Sequence, residues 1–202
     1  VRSNLTGERV FRVAQLWAGP PERCRMVVHL PARGHEVRIG VVNVLCSGGP
    51  PDDLAGVAEH ETTYTRYTFS NPRRGQPICL ERYIVLGTSE DLRHGLVADL
   101  DAEQDAAVAL SFDAALAEQR TAWEALWQRS DVQIDGDDPA QLGLRFCLYH
   151  LLAAAPRFSD QLSVPVKLLT GEHYQGSTFY DTDLCLVPFY TFTQPHLARA
   201  CL

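Results

Sequence analysis

Residues 101–128 read DAEQDAAVALSFDAALAEQRTAWEALWQ, and this stretch divides the chain into two unlike parts. It is rich in Ala, Glu, Gln and Leu, holds neither Gly nor Pro, and repeats its apolar residues at helical spacing. Leu116, Trp123 and Trp127 fall near one face of the helix it predicts. Aromatic residues four apart on a helix more often dock it into a core than stack on a ligand, so the two tryptophans read as packing.

On the N-terminal side, from Val10 to Leu86, the pattern is that of antiparallel strands. Short β-branched or aromatic runs, Met26–Leu30, Val37–Leu45, Thr62–Phe69 and Ile78–Leu86, are parted by turn clusters at Gly19-Pro20-Pro21, Ser47–Pro51 and Asn71–Gly75. On the C-terminal side, Gly136-Asp137-Asp138-Pro139 predicts a helix start. Asp138 reads as its N-cap and Pro139 as its first residue, where a missing N–H costs nothing. The helix should run to about Ala154 with Leu142, Phe146, Tyr149 and Leu152 as one buried stripe, and Pro156 ends it. A polar, glycine-containing loop over 156–178 precedes a helix over Tyr180–Thr193 and another opening at Gln194-Pro195. Strands first and helices after predict a β domain followed by the opening of a helical one.

The composition, 46% apolar and 21% charged over 202 residues, is that of a globular chain with a buried core. A net charge of -7 without any basic stripe argues against a nucleic-acid partner, because phosphate contacts need clustered Lys and Arg. No apolar run of about 18 residues suggests a membrane span, and the first residues lack a signal-peptide layout, so a cytoplasmic location is expected. Six cysteines without C-x-x-C spacing argue against a zinc site and read as reduced, mostly buried thiols. Asp135, Asp137 and Asp138 lack the ligand spacing of a calcium loop, so linker and cap are the better readings and no metal is expected.

Residues 167–183, KLLTGEHYQGSTFYDTD, concentrate charged, hydroxyl and aromatic groups where a helix begins. Sugars need this mixture: apolar ring faces stack on aromatic side chains, and hydroxyls need fixed carboxylate, amide and backbone partners. Gly171 and Gly176 would let backbone approach a ligand closely. Taken alone, Asp181 or Thr182 reads first as a helix cap.

The same run resembles the T-G-E-G-Y-x-G-x-x-F-W-D-T-E signature of glycoside hydrolase family 65, which includes maltose, kojibiose and trehalose phosphorylases. Residues 122–137, AWEALWQRSDVQIDGD, are similar to the family's W-x-x-x-W-x-x-S-D-I-x-I-x-G-D linker. Gln141–Phe146, Tyr149–Leu152 and Ala155-Pro156 resemble its first barrel helix. Leu186–Tyr190, Thr193-Gln194-Pro195 and Ala198-Arg199 match its L-P-F-x-x-x-T-Q-P-x-x-A-R. The match is strong over about 120–202 and looser over the β-rich part. This sequence departs from the signature at Tyr180 for Trp, Asp183 for Glu and His173 for Gly, which leaves linkage specificity open.

The resemblance implies an α+β multidomain fragment. An antiparallel β-sandwich over 1–98 would lead through a helical linker over 99–136 to the first helices of an (α/α)6 toroid over 137–202. It implies a substrate-binding set of Asp181, Tyr180, Phe179 and Gly176. Tyr180 and Asp181 would line a glucosyl pocket, while Phe179 and Thr182 chiefly pack and support. The implied reaction is inverting phosphorolysis of an α-linked glucose disaccharide, with inorganic phosphate as co-substrate, no cofactor and a homo-oligomeric parent protein. The general acid is expected beyond residue 202, so the chain would be incomplete and no residue within it, Glu172 included, is assigned that role. A trehalase-like hydrolase of the same family and a sugar-binding remnant without catalysis are the alternatives.

Overall fold

Alternation of β-branched and aromatic residues folds the N-terminal part into six strands: β1 Arg12–Ala18, β2 Arg23–Leu30, β3 His35–Ser47, β4 Asp53–Glu59, β5 Thr62–Thr68 and β6 Cys79–Thr88. The computed structural model describes residues 11–19, 22–31, 34–93, 95, 99–157, 159, 162–168 and 173–201. Val10, Pro20 and Pro21 of the sequence reading lie outside them. The predicted runs correspond to β2, β3, β5 and β6. They omit β1 and β4, whose Ala, Gly and charged residues have little intrinsic strand preference and are held extended by their neighbours.

The strands pair antiparallel in a four-stranded sheet ordered β1-β2-β3-β6 and a two-stranded ribbon of β4 and β5. The register sets Cys24 opposite Val41 and Val28 opposite Val37, so period-two alternation puts them on one face. The ribbon covers that face: Thr65 Oγ1 lies 3.6 Å from Cys24 Sγ and accepts from Asn43 Nδ2 at 3.2 Å. Arg82 donates to Asn43 Oδ1 at 2.9 Å, which satisfies both ends of this buried amide.

A short helix, α1 Ser89–Arg93, follows β6, and α2 Leu100–Leu110 then packs on the opposite sheet face. Gly40 makes the approach possible, because a Cβ there would sit 2.6 Å from Gln104 Nε2. Arg23 and Arg25 of β2 pair with Asp105 and Asp101 of α2. The single helix predicted over 101–128 is two helices, α2 and α3 Phe112–Ser130, broken at Ser111 with φ +66°. Ser111 N–H closes the last turn on Val108 O at 3.2 Å, and its carbonyl opens the next by accepting Ala115 N–H at 3.1 Å.

The chain forms two compact units, Val1–Leu116 and Ala117–Leu202. In the second, α4 spans Asp138–Ala154 and is capped one residue earlier than predicted: the Asp137 carboxylate, not that of Asp138, accepts Ala140 N–H at 2.9 Å. Segment 131–137 is strapped to α4 by two side chains. Gln141 accepts Ile134 N–H at 2.7 Å and donates to Val132 O at 3.0 Å, while Arg145 makes two bonds to Asp131, at 2.9 and 2.5 Å. Trp123 stacks on Tyr149 with ring centroids 4.9 Å apart, which seats α3 on α4. The predicted buried stripe is only partly buried. Leu152 is fully buried, whereas Leu142 is 73% exposed, Phe146 is 62% exposed and Tyr149 is also exposed, because among the described residues of this unit the strap and α3 leave that part of the stripe largely uncovered.

The core of this unit is Ala154, Ala155, Val164, Val187, Tyr190, Leu197 and Ala198, built from the end of α4, a loop, α5 Val187–Thr193 and α6 Pro195–Cys201. Tyr190 donates to Leu151 O at 2.7 Å, and burial pushes its phenol up to about 12. All six cysteines are free, but only Cys24 is buried. The expectation of mostly buried thiols fails because Cys46, Cys79, Cys147 and Cys185 fall on outward positions. No helix among the described residues is long and apolar enough to cross a membrane.

Candidate functional site

The sugar-like mixture of groups sits at the junction of a loop and the helical run that carries α5. A 3-10 turn, His173–Gly176, ends with Gly176 at φ +73°, a backbone that favours glycine, and an added Cβ would meet nothing within 4 Å. Ser177 N–H closes this turn on Tyr174 O at 2.9 Å, and Ser177 O accepts Val166 N–H at 3.2 Å, tying it to the preceding loop. Gly171 and Glu172 lie outside the described residues.

Phe179 and Tyr180 then project outward, 60% and 66% exposed, with ring centroids 5.4 Å apart and planes tilted by 47°. Asp181 follows in helical conformation at φ -59° and ψ -34°; its side chain is exposed and caps no helix end. Thr182 is 1% exposed and donates its hydroxyl to Val164 O at 2.9 Å. Neither residue is therefore an N-cap, since a cap would accept a backbone N–H. Thr182 anchors the turn to the core, and the three side chains before it are left facing outward. Phe179 departs from its expected packing role, because the turn that buries Thr182 carries it to the surface.

A π-helical turn, Thr182–Leu186, follows and feeds into α5. The continuous helix predicted over 180–193 conceals it. The one sequence signal is Pro188 in the first turn of α5, which has no N–H to return to the preceding turn and whose ring crowds the carbonyl four residues earlier. Such widened turns recur at functional sites.

Arg145 does not join this site. Its guanidinium is bidentate to Asp131, holding that carboxyl below the usual carboxylate range and raising its own value. Trp123 and Trp127 are half-buried and 6.1 Å apart in the helix seam, as packing residues. Among the described residues no group of three or more His, Cys, Asp or Glu could hold a metal ion. The site thus offers two aromatic faces and one carboxylate on a turn fixed from below, an arrangement suited to a ligand with an apolar face and a rim of hydroxyls.

Residues 2–126 match the glycosyl hydrolase family 65 N-terminal domain, and residues 145–202 match the family's central catalytic domain. Over 85 residues the chain is 42% identical to the nigerose phosphorylase of Lachnoclostridium phytofermentans, covering 42% of this chain and 11% of that protein. It is 33% identical over 132 residues to the kojibiose phosphorylase of Halothermothrix orenii, covering 61% of this chain and 17% of the relative. With the α,α-trehalose phosphorylase of Geobacillus stearothermophilus it shares 38% identity over 118 residues, covering 56% and 15%. A solved structure described as "Putative kojibiose phosphorylase from human microbiome" superposes with a TM-score of 0.68 over 98% of this chain and 25% of that one; at 18% identity this speaks to the fold alone. The chain therefore spans 11 to 17% of the length of these curated relatives. With family domains matched across both its β and its helical part, and an antiparallel sandwich leading into toroid helices, the chain belongs to glycosyl hydrolase family 65.

Proposed function

We propose that this chain supplies one wall of the glucosyl pocket in an inverting phosphorylase of α-linked glucose disaccharides. Asp181 would bind sugar hydroxyls, Tyr180 and Phe179 would present ring faces to the pyranose, and Gly176 would leave room for the ligand beside the backbone. Inorganic phosphate would be the attacking co-substrate, giving glucose 1-phosphate with inversion. These residues hold sugar, and none of them is assigned the general acid. Support comes chiefly from Asp181: its carboxylate is exposed, caps nothing and stands between two exposed aromatic rings and a buried anchor, so the fold gives it no structural task. The phosphorylase names of the relatives favour the reaction class.

The test uses the whole protein, assayed for phosphate-dependent release of glucose 1-phosphate from kojibiose, nigerose, trehalose and maltose. Asp181→Ala should lower kcat/KM by about a hundredfold or more, the size of effect seen when one charge-stabilising hydrogen bond to a transition state is lost. Its melting temperature should not move. An unchanged rate would remove Asp181 from the site. Glucose release that ignores phosphate would replace phosphorolysis with hydrolysis.

A further inference from the structure

We propose that Cys46 and Cys79 form a dithiol that closes to a cross-strand disulfide under oxidation and reopens under reduction, a modification site on the β domain. The register of β3 and β6 brings them together. Leu45 pairs with Leu80 and Ser47 with Cys79, so Cys46 is the extra residue of a β-bulge, and Cys46 and Ser47 together oppose Cys79. Ser47 is the residue directly opposite Cys79, at the spacing of about 4.5–5.5 Å between Cα atoms of opposed antiparallel residues, and the bulge sets Cys46 beside it against the same partner; a disulfide spans about 4.4–6.8 Å between Cα atoms.

Side-chain direction agrees with the register. Cys79, Glu81 and Tyr83 share one face of β6 by alternation, and Tyr83 donates to Glu81 at 2.5 Å. The Cys46 thiol meets this same row, with Glu81, Cys79 and Tyr83 as its neighbours there. Both thiols are exposed, which gives a small oxidant access to either sulfur.

The reaction balances with a low-molecular-weight disulfide such as oxidised glutathione. One thiolate attacks it and releases one glutathione thiol; the second thiolate attacks the mixed disulfide and releases the other. Two cysteine thiols are oxidised and one glutathione disulfide is reduced. Desolvation by the surrounding strand atoms and the Glu81 carboxylate hold the Cys46 thiol above its ordinary value, so closure is slow.

Closure has a structural consequence. The ring it forms encloses the β4–β5 ribbon with both connecting loops, 48–52 and 69–78. Those loops line a cavity of about 600 Å³ that includes Asp52, Phe69, Asn71, Arg73 and Gln76. They are already bridged at their base where Ser47 donates to Pro77 O at 3.2 Å. A disulfide beside that bond would fix the two walls against each other.

The whole protein should be incubated with oxidised glutathione, alkylated and mapped by mass spectrometry without reduction. The expected product is a linked pair of peptides holding Cys46 and Cys79, lighter than their sum by two hydrogens and separated again by dithiothreitol. Oxidation should also raise the melting temperature of the wild type by several degrees and leave that of Cys46→Ser unchanged. In Cys46→Ser, Cys79 should instead be trapped as a glutathione adduct, which shows that the variant is folded and the thiol reachable. Separate glutathione adducts on both wild-type residues, linkage of either to another cysteine, or no reaction at either would overturn the proposal.

Discussion

Thr182 shows how one hydroxyl sets the orientation of its neighbours. Its Oγ1 donates to the carbonyl of Val164, itself fully buried, so the bond crosses from the loop to the helical run inside the core. Replacing it with valine keeps the volume and strands that carbonyl, at a cost of about 1–3 kcal/mol. Thermal melting of Thr182→Val against Thr182→Ser measures this directly: the serine variant should stay close to wild type and the valine variant should fall. Equal melting of all three would mean that the hydroxyl anchors nothing. Asp181, one residue earlier, is the opposite case. From the sequence alone both residues read as caps, since Ser, Thr, Asp and Asn at a helix start usually are. Only the flanking family-like motifs lifted Asp181 above that reading, and only coordinates separate the buried hydroxyl from the exposed carboxylate.

At the scale of elements, the contact of α2 with the sheet turns on Gly40. A Cβ there would meet Gln104 Nε2 at 2.6 Å and Leu100 Cγ at 3.1 Å, and Gln104 is fully buried, so its amide has little room to retreat. Gly40→Ala should destabilise by about 1 kcal/mol or more. Gln104→Ala in the same chain should recover much of that loss, and strictly additive denaturation midpoints would refute the contact. The strap on α4 gives a pH test. Arg145 holds the Asp131 carboxyl below its unfolded value, so the pair's contribution is present above the ordinary carboxylate range and is lost as pH falls through the depressed value. Melting temperatures of wild type and Asp131→Asn should therefore differ at neutral pH and converge in acid. A constant gap at every pH would assign the difference to packing. Four of the six strands and the start of α4 were legible, its cap to within one residue, because turn residues and helix starts are local chemistry. The break at Ser111 was not, since neither Gly nor Pro marks it and its φ of +66° is imposed by the helices on either side. The π-turn was hidden because it continues a helical run without a break, with Pro188 as its only trace.

At the scale of the molecule, helical periodicity predicted which face of α4 is apolar, but periodicity cannot say whether anything covers it. In the second unit Leu142, Phe146, Leu184 and Phe192 are 73%, 62%, 72% and 87% exposed. Large apolar side chains left in water favour contact with any surface of the same kind, and the commonest such surface in a pure sample is another copy of the chain. Opposing this is the net charge of -7, which makes two copies repel at long range. The two forces respond differently to salt. Screening shortens the repulsion to about 8 Å at physiological ionic strength, while the apolar attraction is unaffected or slightly strengthened. The 202-residue chain should therefore self-associate with rising concentration in sedimentation velocity, and more strongly as salt is raised. Phe146→Glu combined with Leu142→Glu should shift it towards monomer by adding charge to the exposed face of α4 without touching the core around Tyr190. A wild-type chain that stays monomeric at high concentration and high salt would show that these side chains find cover within their own molecule.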